Sequence, residues 1–338
     1  MADCKVDIII PTYKPDKGFF KLIEALEKQT LRPENIFLMN TEEKYLNTLL
    51  YGTSFKESHP RVHVKNVSRR EFNHGRTRNA GAKRSVADVI IFMTQDAFPE
   101  DDKLIESLVK ALEDKDVAAA YARQLPSANA NLMEKYSRTF NYPETGFVKS
   151  EKDLDTLGIK TYFCSNACAA YNKATFDELG GFVDFTIFNE DMLYAAKAIK
   201  AGKKIAYAPS ARVVHSHNYT GKQQFKRNFD LGVSQADHPE VFGPLKSENE
   251  GIRLVKNTAR FLLQNKRGYQ IPALIYISGC KFLGYKLGLN YKRLSKKMIL
   301  RCTMNKAYWG RYWDKKEIPE NVYAGYGKTE EERQRRRN

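Results

Sequence analysis

An α/β fold, with a mainly parallel sheet flanked by helices and followed by a basic helical region, is what this sequence predicts. Strand-like apolar runs alternate with stretches of helical period through the first half. The runs at 6–10 and 89–93 are apolar at nearly every position, as in strands buried on both faces. Polar residues gather where each run stops, and ligands of such sheets collect at the carboxyl ends of the strands.

Residues 6–10 form the first strand and run into Pro11-Thr12-Tyr13, where proline is expected to stop the ladder. Phe19, Leu22, Ile23 and Leu26 mark a helix over 19–29. Residues 36–39 and 62–67 are the next strands. Residues 77–86 read as a helix, 89–93 as a buried strand, 104–112 as a helix and 117–121 as a strand. A helix at 129–141 precedes an irregular polar insertion over 142–158. Residues 174–179 are a helix stopped by Gly180-Gly181, and 191–201 a helix ended at Gly202. Residues 205–208 and 211–215 are short extended pieces. From about Lys222 the pattern is largely helical. The tail, 330–338, has no apolar residue and is expected to be disordered. The division is thus 1–220, 221–329 and 330–338.

Hydrophobic content of 42% against 28% charged residues excludes a disordered chain. Met1-Ala2-Asp3-Cys4-Lys5 leads directly into a strand, so no secretory leader is expected. The five cysteines, at 4, 164, 168, 280 and 302, form no CxxC and are expected to be small buried hydrophobes in a reducing compartment. Of the net charge of +16, residues 221–338 carry +14, from 25 Lys/Arg and 11 Asp/Glu. Between Gly251 and Trp313 there are 14 Lys/Arg and no acid. A solvated helix face mixes signs, so this bias asks for an anionic partner. The uncharged run at 268–280 has 13 residues, short of the ~20 that span a bilayer. Tyr269, Ile275, Phe282, Tyr285, Leu289 and Leu294 alternate with cations, which fits helices lying peripherally on an anionic membrane surface. Packing on the first region and assembly into a homo-oligomer are alternatives. For nucleic-acid binding no recognised module appears.

The chemistry-bearing residues come in a telling order. Asp96 closes a buried strand and is placed to hold a cation. Thr161 to Asn166 form a small polar cluster. The pair Glu190-Asp191 can take a proton from a hydroxyl, and His215-Ser216-His217 follows. Together these parts suit a metal-assisted transfer from a phosphorylated donor. On residues alone the acidic pair is better explained as the start of a helix, and His217 as structural.

Six segments run in sequence from about residue 6 to 219: Ile8-Ile9-Ile10-Pro11-Thr12-Tyr13, His74-Gly75-Arg76-Thr77-Arg78-Asn79, Phe92-Met93-Thr94-Gln95-Asp96-Ala97, Gly180-Gly181-Phe182, Asn189-Glu190-Asp191 and His215-Ser216-His217. In order and spacing they resemble the family-2 glycosyltransferases of the GT-A fold. Within that family they look most like bacterial rhamnosyltransferases of cell-surface polysaccharide synthesis. The resemblance implies a nucleoside lying against Pro11, Thr12 and Tyr13. Asn40-Thr41-Glu42 stands where many relatives carry a base-reading aspartate, and an amide can serve both edges of a pyrimidine. Arg78, with Arg76 and Asn79, would face the donor phosphates. Gln95-Asp96 occupies the place of the DxD motif, with Thr94 replacing its first aspartate. Asp96 and His215, and more weakly His217, would hold Mg²⁺ or Mn²⁺. Phe163, Ser165, Asn166 and Phe182 would line the sugar and acceptor. Asp191 would be the general base, with Glu190 orienting the acceptor.

The implied activity is inverting transfer of rhamnose from dTDP-rhamnose to a hydroxyl of a lipid-linked glycan, at the cytoplasmic face of the cell membrane. A UDP-hexose donor, or a non-catalytic polyanion-binding protein on the same fold, are the competing expectations.

Overall fold

The computed structural model describes residues 4–243 and 248–314, so the tail expected at 330–338 lies outside the described residues. Nine strands form one sheet: β1 (Val6–Tyr13), β2 (Asn35–Thr41), β3 (Val62–Val67), β4 (Val89–Met93), β5 (Phe98–Pro99), β6 (Val117–Leu125), β7 (Phe147–Lys149), β8 (Cys168–Asn172) and β9 (Lys204–Val214). Their order is β3-β2-β1-β4-β8-β6-β9-β5, with β7 on β9. The run β3-β2-β1-β4 is parallel, as is β6 with β9. β8 runs antiparallel between β4 and β6 and joins the two parallel parts.

The longer helices are α1 (Gly18–Glu27), α2 (Glu43–Leu50), α3 (His74–Ala82), α4 (Leu104–Lys110), α5 (Leu132–Asn141), α6 (Lys173–Glu178), α7 (Glu190–Lys200), α8 (Gly221–Asp237), α9 (Glu248–Gln264), α10 (Ile271–Leu289), α11 (Lys296–Cys302) and α12 (Lys306–Asp314). Successive side chains of β1 point to opposite faces, so it feeds two cores. Ile8 and Ile10 pack with Leu22 and Leu26 of α1 and Leu104 and Leu108 of α4. Ile9 joins a core built on Phe92, Tyr171, Phe176, Phe182 and Tyr194.

Several elements differ from expectation. Pro11 does not stop β1, which pairs on through Pro11↔Met39 and Thr12↔Asn40 to Tyr13↔Thr41. The β1–β4 ladder ends at Ile9↔Phe92, so proline lies beyond it and its missing N–H breaks nothing on that side. The two extended pieces near 205 and 211 are one strand, β9, with a register shift opposite Ala122/Arg123. The expected irregular insertion contains β7, which pairs with β9. Three of the five cysteines are buried and all are free thiols; Cys4 and Cys280 are half-buried.

The helical region has its own core of Phe229, Val233, Tyr291, Ile299 and Trp309, which also takes in Ile187. α8 and α10 approach until backbone touches backbone. A Cβ on Gly284 would lie 2.1 Å from the Phe225 carbonyl oxygen, and one on Gly288 2.1 Å from that of Phe229. α12 returns to the sheet region. Arg311 donates from Nη1 to the Glu71 carbonyl (3.3 Å) and from Nη2 to that of Phe72 (2.6 Å), just before α3. Tyr308 stacks on Phe185 at 4.7 Å. No helix among the described residues is long and apolar enough to cross a membrane.

Candidate active site

The strand ends deliver the first group of polar residues. Thr12 and Asn40 are buried side by side; Thr12 Oγ1 donates to Asn40 Oδ1 (3.3 Å), and Asn40 Nδ2 donates to Asn66 Oδ1 (2.8 Å). Thr41 Oγ1 is buried with no hydrogen-bond partner among the described residues. Half-buried Tyr13 meets Tyr45 of α2 edge-on at 5.6 Å, with Lys14 over both rings and Arg69 over Tyr13. Glu42, at φ 64°, accepts the Arg69 amide through Oε1 (2.7 Å). Tyr45, Lys14 and Arg69 escaped sequence reasoning, because their only signal was an aromatic residue and two cations in loops or at a helix start.

Gln95 works differently from expectation. Its Oε1 accepts the Tyr13 amide and its Nε2 donates to the Tyr13 carbonyl, both at 2.9 Å. Both ends of the amide are taken by backbone, so Gln95 holds the β1 exit rather than offering its side chain to a nucleotide. Asn79 is a second correction. Its Nδ2 donates to the Phe182 carbonyl and to Asp184 Oδ1, each at 2.8 Å, and its Oδ1 accepts the Phe182 amide at 3.0 Å. It clamps the Gly180-Gly181-Phe182 turn, whose glycines have φ of 74° and 67°. Phe182 itself is 3% exposed among Phe92, Tyr171, Phe176 and Tyr194. It is core and has no face free for a sugar.

Asp96 follows β4 through Thr94-Gln95 and meets the end of β9. Its carboxylate oxygens lie 3.4 Å from His215 Nε2 and 3.4 Å from His217 Nε2, and the two imidazole nitrogens are 3.2 Å apart. Gln124, at the end of β6, sets the histidine tautomer. Gln124 Nε2 donates to Ser165 Oγ (2.8 Å), so its Oε1 is the acceptor facing His215 Nδ1 (3.0 Å). Neutral His215 therefore carries its proton on Nδ1 and turns the Nε2 lone pair toward a carboxylate. Only a proton or a cation between them satisfies both. The three residues offer one ligand atom each, all within 4.8 Å of one another, a mixed N/O donor set that fits a divalent transition metal. Burial opposes ionisation of Asp96, but a proton on His215 Nε2, through its bond and its charge, outweighs it and holds the carboxyl well below the usual range.

The acidic pair begins α7. Asn189 precedes it in the left-handed region, φ 64°, a conformation asparagine tolerates, and turns the chain sharply into the helix. Glu190 is buried and forms an ion pair with Arg78 Nη1 at 3.2 Å, the two side chains 8% and 5% exposed. Asn166 Nδ2 donates to Glu190 Oε1 (3.2 Å), and the Asn166 amide donates to Asp191 Oδ2 (3.0 Å). Burial alone would raise Glu190, but Arg78 and His74 hold it low. Asp191 is half-buried, and burial together with the Glu190 charge pushes it up to about 7. One carboxylate stays ionised while its neighbour titrates near neutrality, which is the division of roles a general base requires.

Residues 163–166 link the two centres. Ser165 bonds Gln124, which bonds His215; Asn166 bonds both acids. Phe163 packs edge-on against Tyr121 at 5.4 Å. Buried Lys149 pins this segment: Nζ donates to the Lys160 carbonyl (3.0 Å) and to that of Phe163. Burial lowers Lys149 to about 7, and the nearby Asp153 charge opposes it only in part. Gln124 and Lys149 were not foreseen, although Gln124 is a polar residue at the carboxyl end of an apolar strand. Pro11 and Arg76 lie half-buried near the strand ends and α3.

Residues 7–180 match the family model described as glycosyl transferase family 2. The chain is 41% identical over 320 residues to the O-antigen chain rhamnosyltransferase RfbN of Salmonella typhimurium, covering 93% of this chain and 99% of that one. It is 39% identical to the O-antigen chain rhamnosyltransferase WbaN of Salmonella anatum, covering 92% and 98%. In fold it is similar to the mannosyltransferase PcManGT of Pyrobaculum calidifontis, solved with GDP-Man and Mn²⁺, with TM-score 0.53, 15% identity, and 92% and 88% of the two chains covered. A sheet with its polar residues at the strand ends, an acidic pair at a helix start, and likeness along nearly the whole length of two such enzymes lead to one conclusion: the chain is a glycosyltransferase and belongs to glycosyl transferase family 2.

Proposed function

We propose that the chain catalyses inverting transfer of rhamnose from dTDP-rhamnose to a hydroxyl of a lipid-linked polysaccharide acceptor. The observation that carries this reading is the hydrogen-bonded bridge through Gln124, Ser165 and Asn166. It joins a cation-suited cluster to a carboxyl that titrates near neutrality. Rhamnose is supported by the names of two relatives alike along nearly the whole chain; the dTDP carrier follows from the motif resemblance.

Asp191 accepts the proton of the acceptor hydroxyl as its oxygen attacks the anomeric carbon from the face opposite the leaving group. The bond from that carbon to the diphosphate oxygen breaks, and the departing electron pair stays on the nucleoside diphosphate. Asp96, His215 and His217 would hold a divalent cation, which when bound offsets the charge that develops there. Arg78 holds Glu190 ionised, and Glu190 in turn keeps Asp191 basic. That role replaces direct phosphate binding by Arg78, because its guanidinium is buried against a carboxylate. Tyr13, Tyr45 and Arg69 offer aromatic and cationic faces to the nucleoside.

The exposed basic surface of α9 and α10 would rest on anionic lipid, which brings a lipid-linked acceptor to the site.

Calorimetry with dTDP-rhamnose, UDP-glucose and GDP-mannose, each with and without Mn²⁺ or Mg²⁺, tests the donor assignment. Metal-dependent binding selective for dTDP-rhamnose, weakened at least tenfold by Asp96→Ala, is expected. Preference for another donor would overturn the sugar assignment, and an unchanged affinity in Asp96→Ala would overturn the cation site.

A further inference from the structure

A cavity of about 640 Å³ lies between α5, α8, α9 and α10, within the ~300–1,000 Å³ range typical of small-molecule sites. Leu231, Leu254, Val255, Leu274, Ile277 and Phe282 make its apolar wall. Nothing in the transfer chemistry above uses it. Two features say what would fill it.

The first is its position. One end is lined by His217 and Tyr219, and His217 belongs to the Asp96 cluster. The other side reaches the surface, since the lining residues Ile252 and Phe282 are 55% and 54% exposed. The cavity therefore borders the Asp96 cluster at His217 and is open beside the exposed side chains of α9 and α10.

The second is its charge. Lys281 lines the cavity within charge range of Glu134, Arg138 and Arg227. Arg138 and Arg227 thus act on both Lys281 and His217, while Glu134 is already paired with Arg138 at 2.8 Å and Asp96 faces the two imidazoles. Lys281 has no ion-pair partner among the described residues, and burial disfavours its charged form. An anion placed there would offset that excess positive charge.

We infer that this cavity seats the hydrocarbon chain of an amphiphilic acceptor, with its phosphate head among Arg138, Arg227 and Lys281, beside His217. The inference rests on the transferase reading for the acceptor's role, and on the cavity alone for its chemistry: an apolar chain joined to a phosphate.

Farnesyl phosphate is the probe, titrated by calorimetry into the full chain in metal-free buffer, below its aggregation concentration. Farnesol and inorganic pyrophosphate are the controls. Saturable one-to-one binding of farnesyl phosphate is expected. Ser278→Phe, which fills the cavity from α10, should weaken it at least tenfold. Lys281→Met should weaken farnesyl phosphate at least tenfold and leave farnesol unchanged. Ile275→Glu, on the exposed face and outside the cavity wall, should leave it unchanged. Donor binding should be unaltered in all three variants.

No saturable binding to the parent chain, or equal affinity in both Ser278→Phe and Lys281→Met, overturns the inference. So does loss in Ile275→Glu comparable to that in Ser278→Phe, because the probe would then be adsorbing to the outer surface. If Ser278→Phe fails to fold, Lys281→Met and Ile275→Glu decide by the same criteria. Farnesyl phosphate binding without binding of any nucleotide sugar would leave the cavity standing and sink the donor assignment; the reverse would sink the cavity alone.

Discussion

In the proposed mechanism Asp191 and Glu190 are adjacent carboxyls with opposite tasks, and the difference lies in what each touches. Glu190 has Arg78 and an amide; Asp191 has two backbone N–H groups and a like charge beside it. Asp191→Asn should reduce turnover by roughly 10²–10⁴-fold while donor affinity is retained. In the parent enzyme turnover should fall as pH drops below about 7, where the base becomes protonated; a flat profile between pH 5 and 8 would remove Asp191 from that role. Stability has its own sign. The folded carboxyl is pushed up, so it binds a proton more readily than in the unfolded chain. Its contribution is fully present at acid pH and is lost as pH rises through about 7. Asp191→Asn should therefore raise the Tm more at pH 8 than at pH 5, and the opposite order in thermal melts would refute the coupling. Glu190→Gln acts the other way. It leaves the buried Arg78 guanidinium without its counter-charge, with an expected loss of about 3–5 kcal/mol, readable by urea denaturation.

How much of this was legible in the sequence depends on where each partner lies. Asp96 announced itself because an acid three residues past a run of five apolar residues sits at a strand end, where such sheets bind ligands. His215 and His217 stood out by order. Gln95 and Asn79 did not, because their partners are the backbone of Tyr13 and Phe182, 82 and 103 residues away. A short amide side chain carries no mark of whether it will bond a ligand or a distant turn.

At the level of elements, hydrophobic period located strands and helices but not their direction. β8 is a short run, Cys168–Asn172, that enters antiparallel between β4 and β6, and nothing in its composition states that orientation. Likewise the pairing of α8 with α10 depends on glycines that no periodic count weighs. Their helical surfaces meet at Gly232, Gly284 and Gly288, where any side chain would strike opposing backbone. Gly284→Val gives a test. Its Cβ would start 2.1 Å from the Phe225 carbonyl oxygen, and backbone cannot yield as a flexible side chain does. A loss of about 1–3 kcal/mol or more is expected from overpacking. Gly279→Ala on the same helix, where a Cβ meets nothing within 4 Å, should be neutral or slightly stabilising. Equal melting of the two variants would mean that the helices do not pack in this register.

For the whole molecule, the question is why a transferase carries its positive charge in one region. Ile275, Tyr276, Phe282 and Leu283 are each more than half exposed and recur at helical spacing on one side of α10. Around them, residues 251–313 supply cations and no acid. Apolar side chains left in water cost stability unless something covers them, and cations without carboxylates raise the local potential. The proposed anionic lipid surface would resolve both at once, since side chains would enter the interface while each nearby Lys or Arg would contribute about 1 kcal/mol of attraction. Two terms of different physical origin should then separate in one experiment. In co-sedimentation with phosphatidylglycerol-containing vesicles, high salt should remove most of the binding, because counterions screen the cations. A double change of Ile275→Glu and Leu283→Glu should remove most of what low salt permits, because it places acids where chains should insert. Binding that persists in high salt and in the double variant, or that is equal on neutral vesicles, would assign this surface to packing against another protein.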